Sequence, residues 1–463
     1  MQAPFDIAAD LDTPVSTWLK LAPLKPRYLL ESVEGGVHLA RYSFLGFGAA
    51  LEFRLDTDGL RTGTEHRARP ASRDELLNVL RATLARAPRL APVLPDLPFS
   101  GGLVGVGAYD LVRHFERLPN APVHPDNPQG PEAAYLAAES LLVFDHLTRR
   151  IALLHAGSES ERLQLRSAVI RLLRGALPAT PAAGKQRATG QSLSREQFMQ
   201  AVEASKESIT KGDVYQLVLS VQFTGTHSLP PFEAYRALRL LNPSPYMFYI
   251  DLGDIQVAGS SPEALVKLRR GHASLRPIAG TRPRGATPEQ DVAHEQSLLA
   301  DEKENAEHVM LVDLARNDLG RVAAAGTVHV EPYRSIERYS HVMHIVSGVQ
   351  GEIAKGRDAF DLFAAAFPAG TLVGAPKMRA MELIDELEPV RRGIYAGTVG
   401  YFASNGDMDQ AIAIRTLVFR GNKYSYQAGA GIVADSVAES EYNEVLAKSA
   451  ILREALTMAE EGL

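Results

Sequence analysis

Apolar side chains in residues 300–318 fall at Ala306, Val309, Met310, Leu311 and Leu314. This spacing predicts an amphipathic helix whose polar end brings Glu304, Glu307 and His308 within one turn. A second helix, predicted over 440–459, repeats the arrangement with Glu441 and Glu444 and sets Lys448 one turn beyond. Like charges at such spacing cost a helix roughly 0.2–0.5 kcal/mol unless a cation or a proton compensates them. Taken singly, either pair reads as a solvated charged face. Together they can hold one hard divalent ion, and magnesium is the natural candidate because it prefers oxygen ligands and keeps waters that a substrate can replace.

Alternation at 28–33, 41–45 and 51–55, with Gly35 and Gly36 between the first two, predicts a hairpin followed by a third strand. A helix is expected over 72–87, ending at Pro88. The glycine-rich run 101–110 lacks the flanks of a dinucleotide or phosphate loop, so it reads as a strand in which glycines permit close backbone packing. Strands at 140–144 and 151–155 and a helix at 159–173 complete a first unit. Residues 177–193, rich in Pro, Ala, Gly, Thr and Ser, read as a surface linker. The expected domains are therefore 1–177, a linker 178–191, and 192–463.

In the second unit, Ser194 caps a helix that stops at Gly212. A strand at 215–224, a helix at 232–241 and hairpins at 246–259 and 264–277 follow, then strands at 327–333, 342–351, 397–402, 412–419 and 424–428. Helices are predicted at 358–367 and 376–388. Frequent hairpins with helices between them predict an α+β fold with largely antiparallel sheets.

Composition narrows the function classes. A chain of 463 residues with 45% hydrophobic content can bury a large core. A net charge of −6 and the absence of a Lys/Arg tract argue against nucleic acid as a partner. Zero cysteines exclude disulfides, thiolate metal sites and a cysteine nucleophile. No apolar run reaches the ~18 residues of a membrane span, and the opening residues show no basic stretch leading into an apolar core, so a cytoplasmic location is expected.

Three glycine turns with polar neighbours stand at 277–285, 367–377 and 427–431, the last containing Gly429 and Gly431. Backbone N–H groups in such turns can cradle an anion, and Thr281, Thr371, Arg415 and Lys448 can pair with carboxylates. These points and a magnesium ion suit a small polycarboxylate. His344, on the face of its strand shared with Val342, and Glu263, after Ser260-Ser261-Pro262, are candidate acid/base groups.

Residues 277–285, 301–320, 338–348, 367–384, 393–402, 410–415 and 427–448 together resemble the chorismate-utilising enzymes. Residues 29–46, with Leu-Leu-Glu-Ser and Arg-Tyr-Ser-Phe-Leu-Gly, are similar to anthranilate synthase component I proteins. The resemblance implies two intertwined α+β units, Mg²⁺ held by Glu304, Glu307 and Glu444, and chorismate carboxylates positioned by Tyr395, Arg415, Gly429, Gly431 and Lys448. Thr281 and Thr371 would add hydrogen bonds. Glu263 and His344 would share the acid/base work.

Related isochorismate and salicylate synthases carry a water-activating lysine where this chain has Gln216, and aminodeoxychorismate synthases typically a nucleophilic lysine where it has Ala279. The resemblance then implies ammonia as nucleophile, delivered by a separate glutamine amidotransferase subunit, with anthranilate and pyruvate as products. It also implies L-tryptophan as feedback inhibitor in a pocket of Glu31, Ser32, Pro245, Tyr246 and Met247, where Glu31 can meet an amino group and Tyr246 and Met247 enclose an indole. The alternatives are an aminodeoxychorismate synthase large subunit and a tryptophan-sensing subunit without catalysis.

Overall fold

The computed structural model describes residues 4–32, 41–119, 130–179, 184–338 and 342–463. Two long strands, Tyr42–Leu55 and Ala133–Asp145, pair antiparallel along their lengths, with a register shift between Phe47 and Ala50. The free edge of the second strand is shared. Its first half pairs with Gly102–Gly107 and its second half with Arg150–His155, so the sheet divides into two wings.

One wing continues from Tyr42–Leu55 through Pro26–Glu31, Tyr246–Asp251, Gln256–Ser261, Thr416–Arg420 and Lys423–Ile432 to Gln216–His227. The other runs from Gly102–Gly107 through Thr398–Ala403, Met408–Ile412, Ala264–Arg269 and His272–Leu275 to Val349–Glu352. All these pairings are antiparallel, and in each wing strands of the first half of the fold are continued by strands that follow residue 191. The expected α+β, intertwined architecture is what the chain forms.

Buried side chains fill the space between the wings, with Tyr28, Phe44, Phe248 and Val257 from one meeting Val104, Val106 and Val399 from the other. Phe99 stands at the centre, its ring 5.5 Å from Phe44 and 4.7 Å from Tyr401. Helices cover the outer faces. Pro14–Lys20, Glu159–Leu173, Pro231–Leu241 and Ala438–Glu461 bury Trp18, Val169, Phe232 and Leu452 against the first wing. Arg73–Ala85 and Ala359–Ala366 pack Leu77 and Phe363 against the other, while Lys377–Leu387 lies against Gln216–His227 with Met381 buried.

Several local readings change. The predicted helix 300–318 is observed as Glu302–Gly320 and is preceded by another, Pro288–Ala300, whose Thr287 cap and Pro288 start are ordinary N-terminal signals. Segment 342–351 is two strands. Val342–Val346 joins Ile278–Pro283 and Ser335–Arg338 in a small separate sheet, while Val349–Glu352 stays with the large one. The chain breaks where a Cβ on Gly348 would lie 2.4 Å from the Glu331 carbonyl oxygen. Segment 412–419 is likewise divided, by Arg415 at φ 49°. The surface linker ends in a strand, Gln186–Gln191, paired with Gln216–His227. The glycine-rich run is a strand over Gly102–Gly107, and a Cβ on Gly105 would lie 2.0 Å from the Ala134 carbonyl oxygen. The hairpin expected at Gly35 and Gly36 lies outside the described residues.

Candidate active site

Glu263 follows the Gln256–Ser261 strand and is pinned by its own carbonyl, which accepts from the Ile412 N–H at 3.0 Å. Its carboxylate oxygen accepts a hydrogen bond from the Thr371 hydroxyl at 3.1 Å. Burial pushes the Glu263 carboxyl up to about 7, against the pull of Thr371, Lys448 and Arg415. Arg415 holds a left-handed backbone, a conformation that a non-glycine residue adopts at some strain and that concentrates at functional positions.

His344 lies on the small sheet. Its Nδ1 is 3.0 Å from the Gly280 carbonyl oxygen and 3.1 Å from the Thr281 hydroxyl. A carbonyl can only accept, so Nδ1 carries the hydrogen and Nε2 keeps its lone pair. Burial holds the imidazole below its ordinary value, with the positive Arg415 adding to the effect. Two titratable groups are thus driven apart, a carboxyl toward its protonated form and an imidazole toward its neutral form.

The carboxylates predicted to bind metal occupy two helices, Glu304 and Glu307 on Glu302–Gly320 and Glu444 on Ala438–Glu461. Glu307 is raised by burial first and then by Glu304, while a hydrogen bond from Gln216 and the charge of Lys303 oppose this and Glu444 adds a smaller repulsion. Lys448 pairs with Glu444 at 2.7 Å and donates to the Gly429 carbonyl at 3.2 Å. Arg282 bonds Asp301 at 2.7 Å and reaches Glu304 at 3.4 Å. A divalent cation would relieve the repulsion that Glu304 and Glu444 exert on Glu307, so the donor set fits magnesium. Among the described residues no three His, Asp or Glu side chains are gathered into a ready-made cage. The set suits an ion completed by water and substrate oxygens.

His308 does not join this polar end. One residue advances a helix by about 100°, and His308 turns inward, fully buried, with Nε2 2.7 Å from the Ser347 hydroxyl. Burial lowers its pKa to about 4.

Gly429 and Gly431 lie within the Lys423–Ile432 strand and not in a turn, a correction to the sequence reading of 427–431. Close packing explains their glycines. A Cβ on Gly429 would stand 2.6 Å from the Leu219 carbonyl oxygen and 2.8 Å from the Tyr395 hydroxyl, and one on Gly431 would stand 2.8 Å from the Gln216 amide nitrogen. Thr371 sits in the short turn Gly370–Leu372. Sequence reasoning marked Gln216 only as a missing lysine, whereas here its side chain reaches from Gly431 to Glu307. It also missed the ion pair of Lys377 with Asp318 at 2.8 Å, because partners 59 residues apart leave no local signal.

A cavity of about 630 Å³ gathers Glu31, Ser32, Pro245, Tyr246 and Met247, with Tyr401 on its wall. Register brings the two segments together, since Met247 pairs with Glu31 across adjacent strands. The Glu31 carboxylate accepts from the Tyr235 hydroxyl and from Arg239 at 3.1 and 3.2 Å, so it also anchors its strand to the Pro231–Leu241 helix. Tyr246 donates to Asp409 at 3.0 Å.

Residues 25–454 match the chorismate binding enzyme family. The chain is 47% identical to anthranilate synthase component 1 of Thermus thermophilus, over 98% of this chain and 97% of that one. It is 46% identical to the component 1 protein of Acinetobacter calcoaceticus, over 98% and 95%. The crystal structure of anthranilate synthase component I from Streptococcus pneumoniae superposes with a TM-score of 0.79 at 34% identity, over 91% of this chain and 94% of that one. A menaquinone-specific isochorismate synthase from Escherichia coli shares the fold, with a TM-score of 0.70 at 21% identity over 96% and 92%. The chain belongs to the chorismate binding enzyme family, within the group of anthranilate synthase component 1 proteins.

Proposed function

We propose that this chain is a lyase that converts chorismate and ammonia to anthranilate and pyruvate, the first committed step toward tryptophan. The observation that carries this reading is the near-full-length similarity to component 1 proteins. The site chemistry supports it. Ammonia adds at C2 of the ring as the 4-hydroxyl leaves, and Glu263, protonated near neutrality, supplies the proton that turns the hydroxyl into water. The C2 hydrogen is then removed and the enolpyruvyl group leaves as pyruvate, which makes the ring aromatic. His344 Nε2, unprotonated and fixed by Gly280, is the base for this second elimination.

Tyr395, Arg415, Lys448, Thr281, Thr371 and the N–H groups near Gly429 and Gly431 hold the carboxylates and ring. Glu304, Glu307 and Glu444 would hold a magnesium ion, which when bound neutralises a substrate carboxylate. Neither Gln216 nor Ala279 offers an amine, so nitrogen arrives as ammonia. Release of ammonia from glutamine falls to a partner amidotransferase subunit, because this chain has no cysteine. Tryptophan occupies the cavity beside Ser32, Pro245, Tyr246 and Met247 and inhibits by favouring a less active arrangement. The protein works in the cytoplasm, with residues 1–177 contributing the regulatory half and 192–463 the catalytic half.

Purified chain with chorismate, ammonium and magnesium should yield fluorescent anthranilate, and glutamine without a partner should not replace ammonium. Aminodeoxychorismate as product, or no turnover, overturns the reading.

A further inference from the structure

Behind the strand carrying Gly429 and Gly431 lies an ion pair that the chemistry above does not use. Arg392 is 3% exposed and Glu388 4%. A buried pair of this kind is weak evidence for stability, since apolar residues of similar volume often serve as well. Its contacts point elsewhere.

Arg392 Nε and Nη2 grip Glu388 at 2.9 and 2.7 Å. Nη1 donates to the Leu372 carbonyl at 2.6 Å, and Nη2 also to the Val218 carbonyl at 2.8 Å. The guanidinium lies 4.9 Å from the Tyr109 ring centre and 5.7 Å from that of Tyr395. Glu388 accepts from the Ser220 N–H at 2.9 Å and its hydroxyl at 2.7 Å, and the Gln427 amide donates to the same hydroxyl at 2.8 Å. Four of these contacts land on or beside groups proposed to hold the substrate. Leu372 follows Thr371, Val218 is the cross-strand partner of Gly431, Ser220 is that of Gly429, and Tyr395 is touched directly.

We propose that Arg392, locked by Glu388, is the positioning residue of the substrate-binding wall, fixing the Thr371 turn, the Tyr395 ring and the seat of the glycine strand at once. It acts through these groups and does not reach the substrate. The task requires arginine, because its planar fork serves a carboxylate, two carbonyls and two ring faces together, whereas an ammonium is a single point charge.

The proposal rests on the reading of the site as a chorismate site, and anthranilate formation by the wild type tests that reading separately. With an active wild type, Arg392→Lys should raise KM for chorismate and lower kcat/KM on the order of tenfold or more, as small misplacements of binding groups do. The alkaline limb of its pH profile should move upward as Thr371 loosens from Glu263. Combined with Thr371→Val, the loss should be smaller than the product of the single effects, since both act through one contact. A purely structural role lowers the melting temperature and leaves KM, limb position and multiplicativity unchanged, and that result overturns the proposal. If Arg392→Lys is insoluble, Glu388→Gln, which keeps the shape and frees the guanidinium, undergoes the same measurements with the same two outcomes.

Discussion

Replacing Glu263 with glutamine should weaken the enzyme and strengthen the protein, in amounts set by one physical cause. Burial raises this carboxyl from the ordinary 4.5 to about 7. Below about pH 4.5 the folded and unfolded chains both hold the proton. Between there and about pH 7 the unfolded chain releases it while the folded chain keeps it, so wild type loses stability through this window and levels off above it. At about 1.4 kcal/mol per pH unit the loss is on the order of 3 kcal/mol. Glutamine has nothing to ionise. Urea midpoints for Glu263→Gln and wild type should therefore be similar near about pH 4.5, and the variant should gain steadily to about pH 7 and hold that margin above it. Over the same series anthranilate formation should fall by roughly 10²–10⁴, the usual contribution of a general acid. Wild-type kcat/KM, with free ammonia held constant, should decline as pH rises through about 7, because the active form is the protonated one. A stability gap independent of pH would refute the raised carboxyl. A fall in activity of less than about tenfold would refute its role as acid.

Glu444→Gln removes one charge from the proposed metal set, and its magnesium requirement for half-maximal rate should rise while circular dichroism stays that of wild type; unchanged magnesium dependence refutes the assignment. Gly429→Ala places a methyl 2.6 Å from a carbonyl oxygen. Overpacking of that kind costs about 1–3 kcal/mol, so the melting temperature should drop and KM for chorismate should rise as Tyr395 is displaced. Ser32→Arg puts a bulky cation into the cavity beside Met247 and should abolish tryptophan inhibition with little change in uninhibited turnover. Calorimetry that finds no tryptophan binding to wild type removes the allosteric reading.

The sequence made helices and hairpins legible where periodicity and turn residues agree, as at Ser194, whose hydroxyl caps its helix by accepting from the Gln197 N–H. It misled where one apolar run serves two sheets. Met343, Ile345 and Val349 share one face by alternation as in a single strand, and nothing local shows that Ser347 leaves to meet His308 across the fold. Arg415 was legible as a cation but not as a backbone outlier, because left-handed conformation at a non-glycine residue is imposed by its surroundings. Glu31 was legible as a carboxylate suited to an amino group, but its bonds to Arg239 and Tyr235, more than 200 residues away, were not.

The same distinction separates the groups proposed to touch substrate from those that hold them. Thr371, Lys448 and Arg415 carry side chains whose chemistry matches a carboxylate, so composition and spacing expose them. Arg392 and Glu388 stand four residues apart with a proline between them, a pattern indistinguishable in sequence from an ordinary surface pair. Only the fold removes them from water and surrounds them with two carbonyls, two rings and Ser220. A surface pair contributes about 0–1 kcal/mol and tolerates exchange of arginine for lysine. The buried pair should not, because each lost donor leaves a carbonyl or carboxylate oxygen unpaired at about 1–3 kcal/mol, and the lost plane frees the Tyr395 ring. Residues of this kind bear on catalysis through geometry rather than reactivity, so they become visible when the contacts of the reactive groups are followed one step outward.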